Sequence, residues 1–423
     1  MQNLIKKNLK KRYCKEAIFK LCGLTSILFA LSFLVVFFAL IFIKSHKAFL
    51  THKIALEIDL SQDSIAKNSD LTKKYEELSR PELLDQIGYQ RLIKQSLRDK
   101  FLAANPDVMV EKIYQLVSVM ADFSLQDQLV KKPDMIGSKA VVWLPAASKV
   151  DVYFKYKIAQ NFSPAEIVLL DELYKNHEIK SFFNWQFLFG SDSREPEMAG
   201  VAASLTGSFF TIIIFLLFAF PIGVLCAFYL EEFAKKNRLT DLIEISINNL
   251  AAIPSIIYGL LGLTIYLQYM HLPRSSALVG GMTLFMLVLP VIIIATRNTI
   301  RSIPQSIRDG AMALGASKMQ VMLHHLLPLS IPGIMTGTIL AMSRALGETA
   351  PLLMIGMVAF IADVPQNFAD PTTVLPVQIY LWSDSPEIGF AEKTAGAILV
   401  LLTFLIAFNL VAIILRKKFE RKW

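Results

Sequence analysis

The chain has 423 residues, of which 54% are hydrophobic, and a mean hydropathy of +0.48. Soluble globular chains hold about 45–50% apolar residues, so long lipid-facing segments are the first expectation. The formal charge of +8 would suit nucleic acid, but the basic residues flank apolar runs, where they act as a topology signal.

Crossing the roughly 30 Å hydrocarbon layer takes about 20 apolar residues at 1.5 Å each. Six segments qualify, at about 21–43, 204–229, 248–269, 277–296, 332–360 and 394–415. The first follows a basic leader, yet its apolar run is longer than a signal-peptide core and no small-residue cleavage site follows it. A retained anchor is expected. Cys14, Cys22 and Cys226 lie in or beside these runs, with neither disulfide nor zinc spacing.

Orientation follows from the lysines and arginines of the short flanks. Lys6, Lys7, Lys10, Lys11, Arg12, Lys15 and Lys20 precede the first segment; Arg416, Lys417, Lys418, Arg421 and Lys422 follow the last. Six crossings put both termini on one side, and that side is predicted to be the cytoplasm. Lys235, Lys236, Arg238, Arg297, Arg301, Arg308 and Lys318 in two inner loops agree, and the acidic loop 361–393 falls outside.

Between the first two segments lies a polar stretch, 44–198, whose 21 basic and 22 acidic residues nearly cancel. Residues 61–130 read mostly as helix, with Pro81 before a likely start, and Val141–Trp143 and Val150–Ile158 read as strands. The expected fold is an all-α polytopic membrane protein with six transmembrane helices and a small α+β extracytoplasmic domain. Its divisions are 1–43 (basic tail and first helix), 44–198 (outer domain) and 199–423 (five helices).

The inner loop 304–328 reads PQSIRDGAMALGASKMQVMLHHLLP. Ser306 with Asp309, and Ser317 with Gln320, are capping boxes. Ile307, Ala311 and Leu314 share a helical face, and Gly315 suits a left-handed helix end. Two short helices are expected, the second ending at Pro328. Read plainly, this is an interfacial hairpin covering its neighbours. The adjacent His324 and His325 point about 100° apart, a poor metal pair. Pro221, Pro254, Pro290 and Pro351 fall within apolar helices as tolerated prolines or hinges.

In the fifth segment, Arg344 and Glu348 stand within SRALGETAP. Each charge at the centre of a membrane helix costs roughly 2.5–3.5 kcal/mol, and the i, i+4 spacing lets the two pair. They rigidify the bundle or line a polar pathway with Thr349. No GxxxxGK[ST] loop occurs, so the chain is not expected to bind ATP, and no nucleophile–base set suggests an enzyme.

The order D-G-A, three residues, Gly315, nine residues, H-L-L-P resembles the coupling loop of binding-protein-dependent ABC importers, E-A-A-x3-G-x9-I-x-L-P. Asp309 stands for the glutamate, Gly310 for the first alanine and His325 for the isoleucine; Ala311, Gly315, Leu327 and Pro328 match. RALGETAPLL, NLAAIPSIIYGLLG and LPVIIIATRNTIRSIP resemble phosphate permeases of the PstA type, from about Ser204 onward. The resemblance implies a type I importer permease of a bacterial inner (plasma) membrane. It would carry phosphate beside a second phosphate permease, over an ATP-binding subunit dimer and beneath an extracytoplasmic phosphate-binding protein. No cofactor, metal or nucleic acid is implied. Asp309, Gly310, Ala311, Gly315, Leu327 and Pro328 would couple to the ATP-binding subunit, while Arg344, Glu348, Thr349 and Arg297 would line the pathway. Many PstA-type chains carry an arginine at the position of Ile294; here Arg297 lies one turn later, as a substitute or an interfacial anchor. The alternatives are another oxyanion, sulfate or molybdate, and a membrane-anchored sensor or adaptor.

Overall fold

A computed structural model describes residues 2–69, 80–101, 110–159 and 162–419. Arg421, Lys422 and parts of the 61–130 helical prediction lie outside the described residues. The first apolar run lies within one helix, Gln2–Ser45, followed by a short turn, His46–Phe49.

The polar stretch then builds a three-stranded antiparallel sheet in the order β2-β1-β3, with β1 at Leu50–Asp59, β2 at Lys139–Pro145 and β3 at Ile179–Phe183. Lys53 pairs with Pro145 on one side and with Lys180 on the other. The central strand β1 escapes sequence reading because LTHKIALEID does not alternate cleanly; both its faces are covered. Its Ile54, Leu56 and Ile58 pack on Leu92, Ile93 and Leu97 of the amphipathic helix Tyr89–Phe101.

The strand expected at 150–158 is instead the helix Ser148–Tyr156. Val150 and Tyr153, three apart, share the core, and Asp151 pairs with Lys155 at i, i+4. Those helical spacings outweigh the alternation of Val152, Phe154 and Tyr156. Lys157, at φ 57°, ends the helix.

Among the described residues, five helices are long and apolar enough to cross a membrane, six if a bent pair counts as one span. The bent pair corrects the third predicted span. Arg238–Ala251 and Ser255–Tyr269 meet at 101°, because Pro254 disfavours helical geometry at the residue before it. The fifth predicted span is also shifted. Its helix runs Lys318–Leu346, continuing through Pro328 and Pro332, and stops at Gly347. A separate short helix, Ala350–Met354, carries Pro351 in its first turn and is followed by Gly356 at φ +88°.

Ala277–Ser302 is the central span. Gly281 lets it approach Ile214 on Ala202–Phe228, where a Cβ would collide. Phe215, Leu284, Leu287 and Ala341 fill this bundle core. The first and last spans lie outside it, with none of their most apolar stretch buried within the chain.

The sheet domain and the last span are joined by a buried polar chain. His52 Nδ1 lies 2.8 Å from Asp151 Oδ1, Lys155 Nζ lies 2.5 Å from Asp151 Oδ2, and the same nitrogen lies 2.7 Å from Glu392 Oε1. Burial alone would raise the Asp151 carboxyl, but the hydrogen bonds from His52 and the Lys155 charge hold it below its usual range.

Candidate coupling and pathway sites

The loop after the central span forms the helix Gln305–Ala313. Ser306 does not cap it. Pro304 takes the cap position, its fixed φ already suited to a helix start, and Gln305 Nε2 reaches Asp309 Oδ1 at 3.2 Å. At the other end Gly315 adopts φ +88°. Its amide donates to Met312, and that of Ala316 to Ala311, at 2.9 and 3.2 Å. This is the left-handed termination that glycine permits. The Ser317–Gln320 capping box forms as expected.

Ala311, Val321 and Leu326 bury against Phe228, Ile247, Ile300 and Ile303. Leu314 does not join them: it is 92% exposed, beyond the last helical residue and so turned off the apolar face. Asp309, Gly310, Leu314 and Gly315 project together into open space. Leu327 and Pro328, half-buried, open the helix that continues into the membrane.

Arg308 fastens the hairpin to the spans. Its guanidinium donates to the Ile303 carbonyl at 2.8 Å, the Ile300 carbonyl at 3.0 Å and Glu232 Oε1 at 2.9 Å. Beside it, Arg297 Nε lies 2.6 Å from Glu231 and its Nη2 lies 2.7 Å from Glu244, while Arg301 bridges the same two carboxylates. Arg297 is therefore buried and occupied within an ion-pair cluster, which fits the anchor role. Ile294 packs in the apolar cluster next to it. Glu231, Glu232 and Glu244 were not singled out from the sequence. Their signal was the acidic pair closing the second apolar run, directly opposite a loop holding three arginines.

The structure brings Arg344, Glu348 and Thr349 together where the fifth helix ends. Arg344 Nε and Glu348 Oε1 are 3.8 Å apart, and their side chains are 52% and 22% exposed within this chain. The pair thus sits at a helix break with an open face, a correction to a mid-helix pair enclosed by one bundle. Ser343 on the preceding turn donates to Asn409 of the last span at 2.9 Å. His324 and His325 are exposed, and no metal-holding group of His, Cys, Asp and Glu occurs among the described residues.

A family model described as "Binding-protein-dependent transport system inner membrane component" matches residues 219–423, and a "Domain of unknown function (DUF3333)" matches 6–163. The chain is 32% identical over 246 residues to the probable ABC transporter permease protein YqgI of Bacillus subtilis, covering 55% of this chain and 83% of that one. It is 33% identical over 225 residues to the phosphate transport system permease protein PstA of Haemophilus influenzae, covering 53% and 78%. Among solved structures, a chain of the inward-facing MetNI methionine ABC transporter aligns with a TM-score of 0.42 at 17% identity, covering 52% and 95%. With more than three quarters of each of these two permeases aligned at over 30% identity, this chain belongs to the inner-membrane permeases of binding-protein-dependent ABC transport systems.

Proposed function

We propose that the chain is the PstA-like subunit of an inorganic phosphate importer of the bacterial inner membrane. The observation that carries the coupling half of this reading is the hairpin 304–328. It offers an exposed knob (Asp309, Gly310, Leu314) held by Arg308 and Ala311 to three span ends, the form required of a helix that enters a partner's groove. The partner is an ATP-binding subunit dimer; closure on ATP would drag the hairpin and, through Arg308, the ends of the second and fourth spans. Phosphate as cargo is supported by the phosphate-system permeases among the relatives.

Arg344, Glu348 and Thr349 are proposed to face the pathway shared with a second permease, whose surface would complete the open side of the pair. A guanidinium suits a phosphate oxyanion, and Glu348 keeps it poised without holding it tightly. Both termini lie in the cytoplasm and the sheet domain lies outside, below an extracytoplasmic phosphate-binding protein. The chain supplies pathway and lever, with the bond-breaking chemistry left to the ATP-binding partner and no cofactor of its own.

The test is uptake of radiolabelled phosphate by the reconstituted complex in vesicles, with sulfate and molybdate as competitors. Phosphate uptake that needs ATP and the binding protein and is unaffected by tenfold excess of either competitor is expected. Uptake of sulfate or molybdate in preference to phosphate would assign a different oxyanion. Single cysteines at positions 100 and 315, in a background lacking the native three, should label from opposite sides.

A further inference from the structure

We infer that Phe183, Trp185 and Phe189 form a membrane-surface anchor, laying the sheet domain against the headgroup region of the bilayer's adjoining leaflet. β3 ends at Phe183 and runs into a single helical turn, Trp185–Phe189. Asn184 caps it, accepting from the Phe187 amide at 3.1 Å. The three rings form a ladder: Phe183 to Trp185 at 4.7 Å between centroids, and Trp185 to Phe189 stacked at 5.8 Å. They are 45%, 61% and 70% exposed, and Phe189 and Trp185 are the two most exposed aromatic side chains among the described residues of the domain.

The depth of this turn is fixed by what its inner face touches. Phe187 and Leu188 pack among Ala48 and Phe49 just after the first span, Val201 and Leu205 opening the second, and Ala397 and Val400 in the last. Gly396 lets the last span come so near that a Cβ there would crowd both Ala48 and Phe187. The last span carries its outer charges at Glu392 and Lys393 and its inner one at Arg416. Residues 395–415 between them rise about 31 Å at 1.5 Å each, the thickness of the hydrocarbon layer. Gly396 therefore lies at the hydrocarbon boundary, and so does the turn packed on it. The outward face of that turn holds aromatic rings at the level where tryptophan and tyrosine belts form. The first and last spans leave their most apolar stretches uncovered by the chain, so the ladder continues an exposed apolar surface of membrane-spanning length.

The experiment uses the full chain in nanodiscs, alone and within the assembled complex. A variant with Trp143, Trp382 and Trp423 changed to phenylalanine leaves Trp185 as the sole reporter. Lipids brominated near the headgroup should quench it at least twofold more than lipids brominated near the chain end, and aqueous acrylamide should quench it weakly. A nitroxide at Phe189→Cys, in a chain with native tryptophans and the native cysteines replaced, guards against a misfolded reporter. It should show more contact with oxygen than with a water-soluble nickel chelate. Acrylamide quenching equal to that of free indole would overturn the inference. So would lipid quenching that vanishes in the assembled complex, since the ladder would then dock a protein partner.

Discussion

Arg308→Ala is the most informative perturbation of the proposed lever. The Arg308 and Glu232 side chains are only 12% and 16% exposed, and the guanidinium also satisfies two carbonyls at the end of the central span. Removing one member of a buried ion pair costs roughly 3–5 kcal/mol; the residual solvent at this site argues for the lower end, about 3 kcal/mol. With 1.4 kcal/mol per factor of ten, the docked fraction of the hairpin relative to its detached state falls about 100-fold. Insertion should be normal, because the spans themselves are untouched. The assay is ATP-driven uptake into vesicles containing the reconstituted complex, with ATP hydrolysis measured in parallel. Uptake should fall at least tenfold while hydrolysis persists, the signature of a slipping lever. Arg308→Lys should fall between, since one ammonium cannot span a carboxylate and two carbonyls in that geometry. A well-inserted Arg308→Ala complex that transports within twofold of wild type would refute the argument.

Gly315→Pro should abolish uptake without loss of membrane insertion, because proline cannot adopt φ +88° and lacks the amide that bonds Met312; normal uptake would exclude a lever at this turn. Exchanging the pair as Arg344→Glu with Glu348→Arg should restore assembly but leave uptake low, because the cation moves about 6 Å along the chain; wild-type transport by the exchanged complex would remove Arg344 from the pathway. Lys155→Met strands Asp151 and Glu392 and should destabilise the domain by about 3–5 kcal/mol, seen as a lower melting temperature by Trp143 fluorescence; adding Glu392→Gln should recover part of it. Burial raises the Glu197 carboxyl above its ordinary value. Its contribution to stability is therefore fullest below the normal carboxylate range and is lost as pH rises through the folded-state value. Glu197→Gln should raise the melting temperature at pH 7.5 and change it little at pH 4.5, and an equal shift at both would show that ionisation is not the cause.

The membrane segments were legible because hydrophobic length is a coarse quantity that survives local irregularity. Where a helix stops inside a long apolar run was not. Ile253–Pro254 breaks one predicted span where composition stays apolar, and Gly347–Thr349 breaks another beside the Arg344–Glu348 pair; in both, backbone geometry decides. In the hairpin, the glycine turn and second capping box were readable since each is a local hydrogen-bond device. The Ser306 box was not realised, because Pro304, two residues earlier, takes the cap position. Val150–Ile158 shows the limit of period counting, since an i, i+4 ion pair and two core contacts outweigh a short alternation. The acidic partners of Arg297, Arg301 and Arg308 come from segments more than 50 residues away. Periodicity carries no information across such separations.

The broken helices also bear on where water goes. Ser255–Tyr269 has fifteen residues, which rise about 22 Å, some 8 Å short of the hydrocarbon layer. It packs against Ala350–Met354, itself the stub beyond a second break, through Gly259 and Pro351. Two helical stubs, each starting just past a break, thus pack on one another, and carbonyls freed at the breaks must be met by protein or water. Water reaching down to the breaks would satisfy any that the protein leaves unpaired. The same water would solvate Arg344, half-exposed just before the second break. The arginine would then escape most of the insertion cost assigned to a charge in lipid, and, in the proposed pathway role, its guanidinium would be free to exchange one oxyanion for the next.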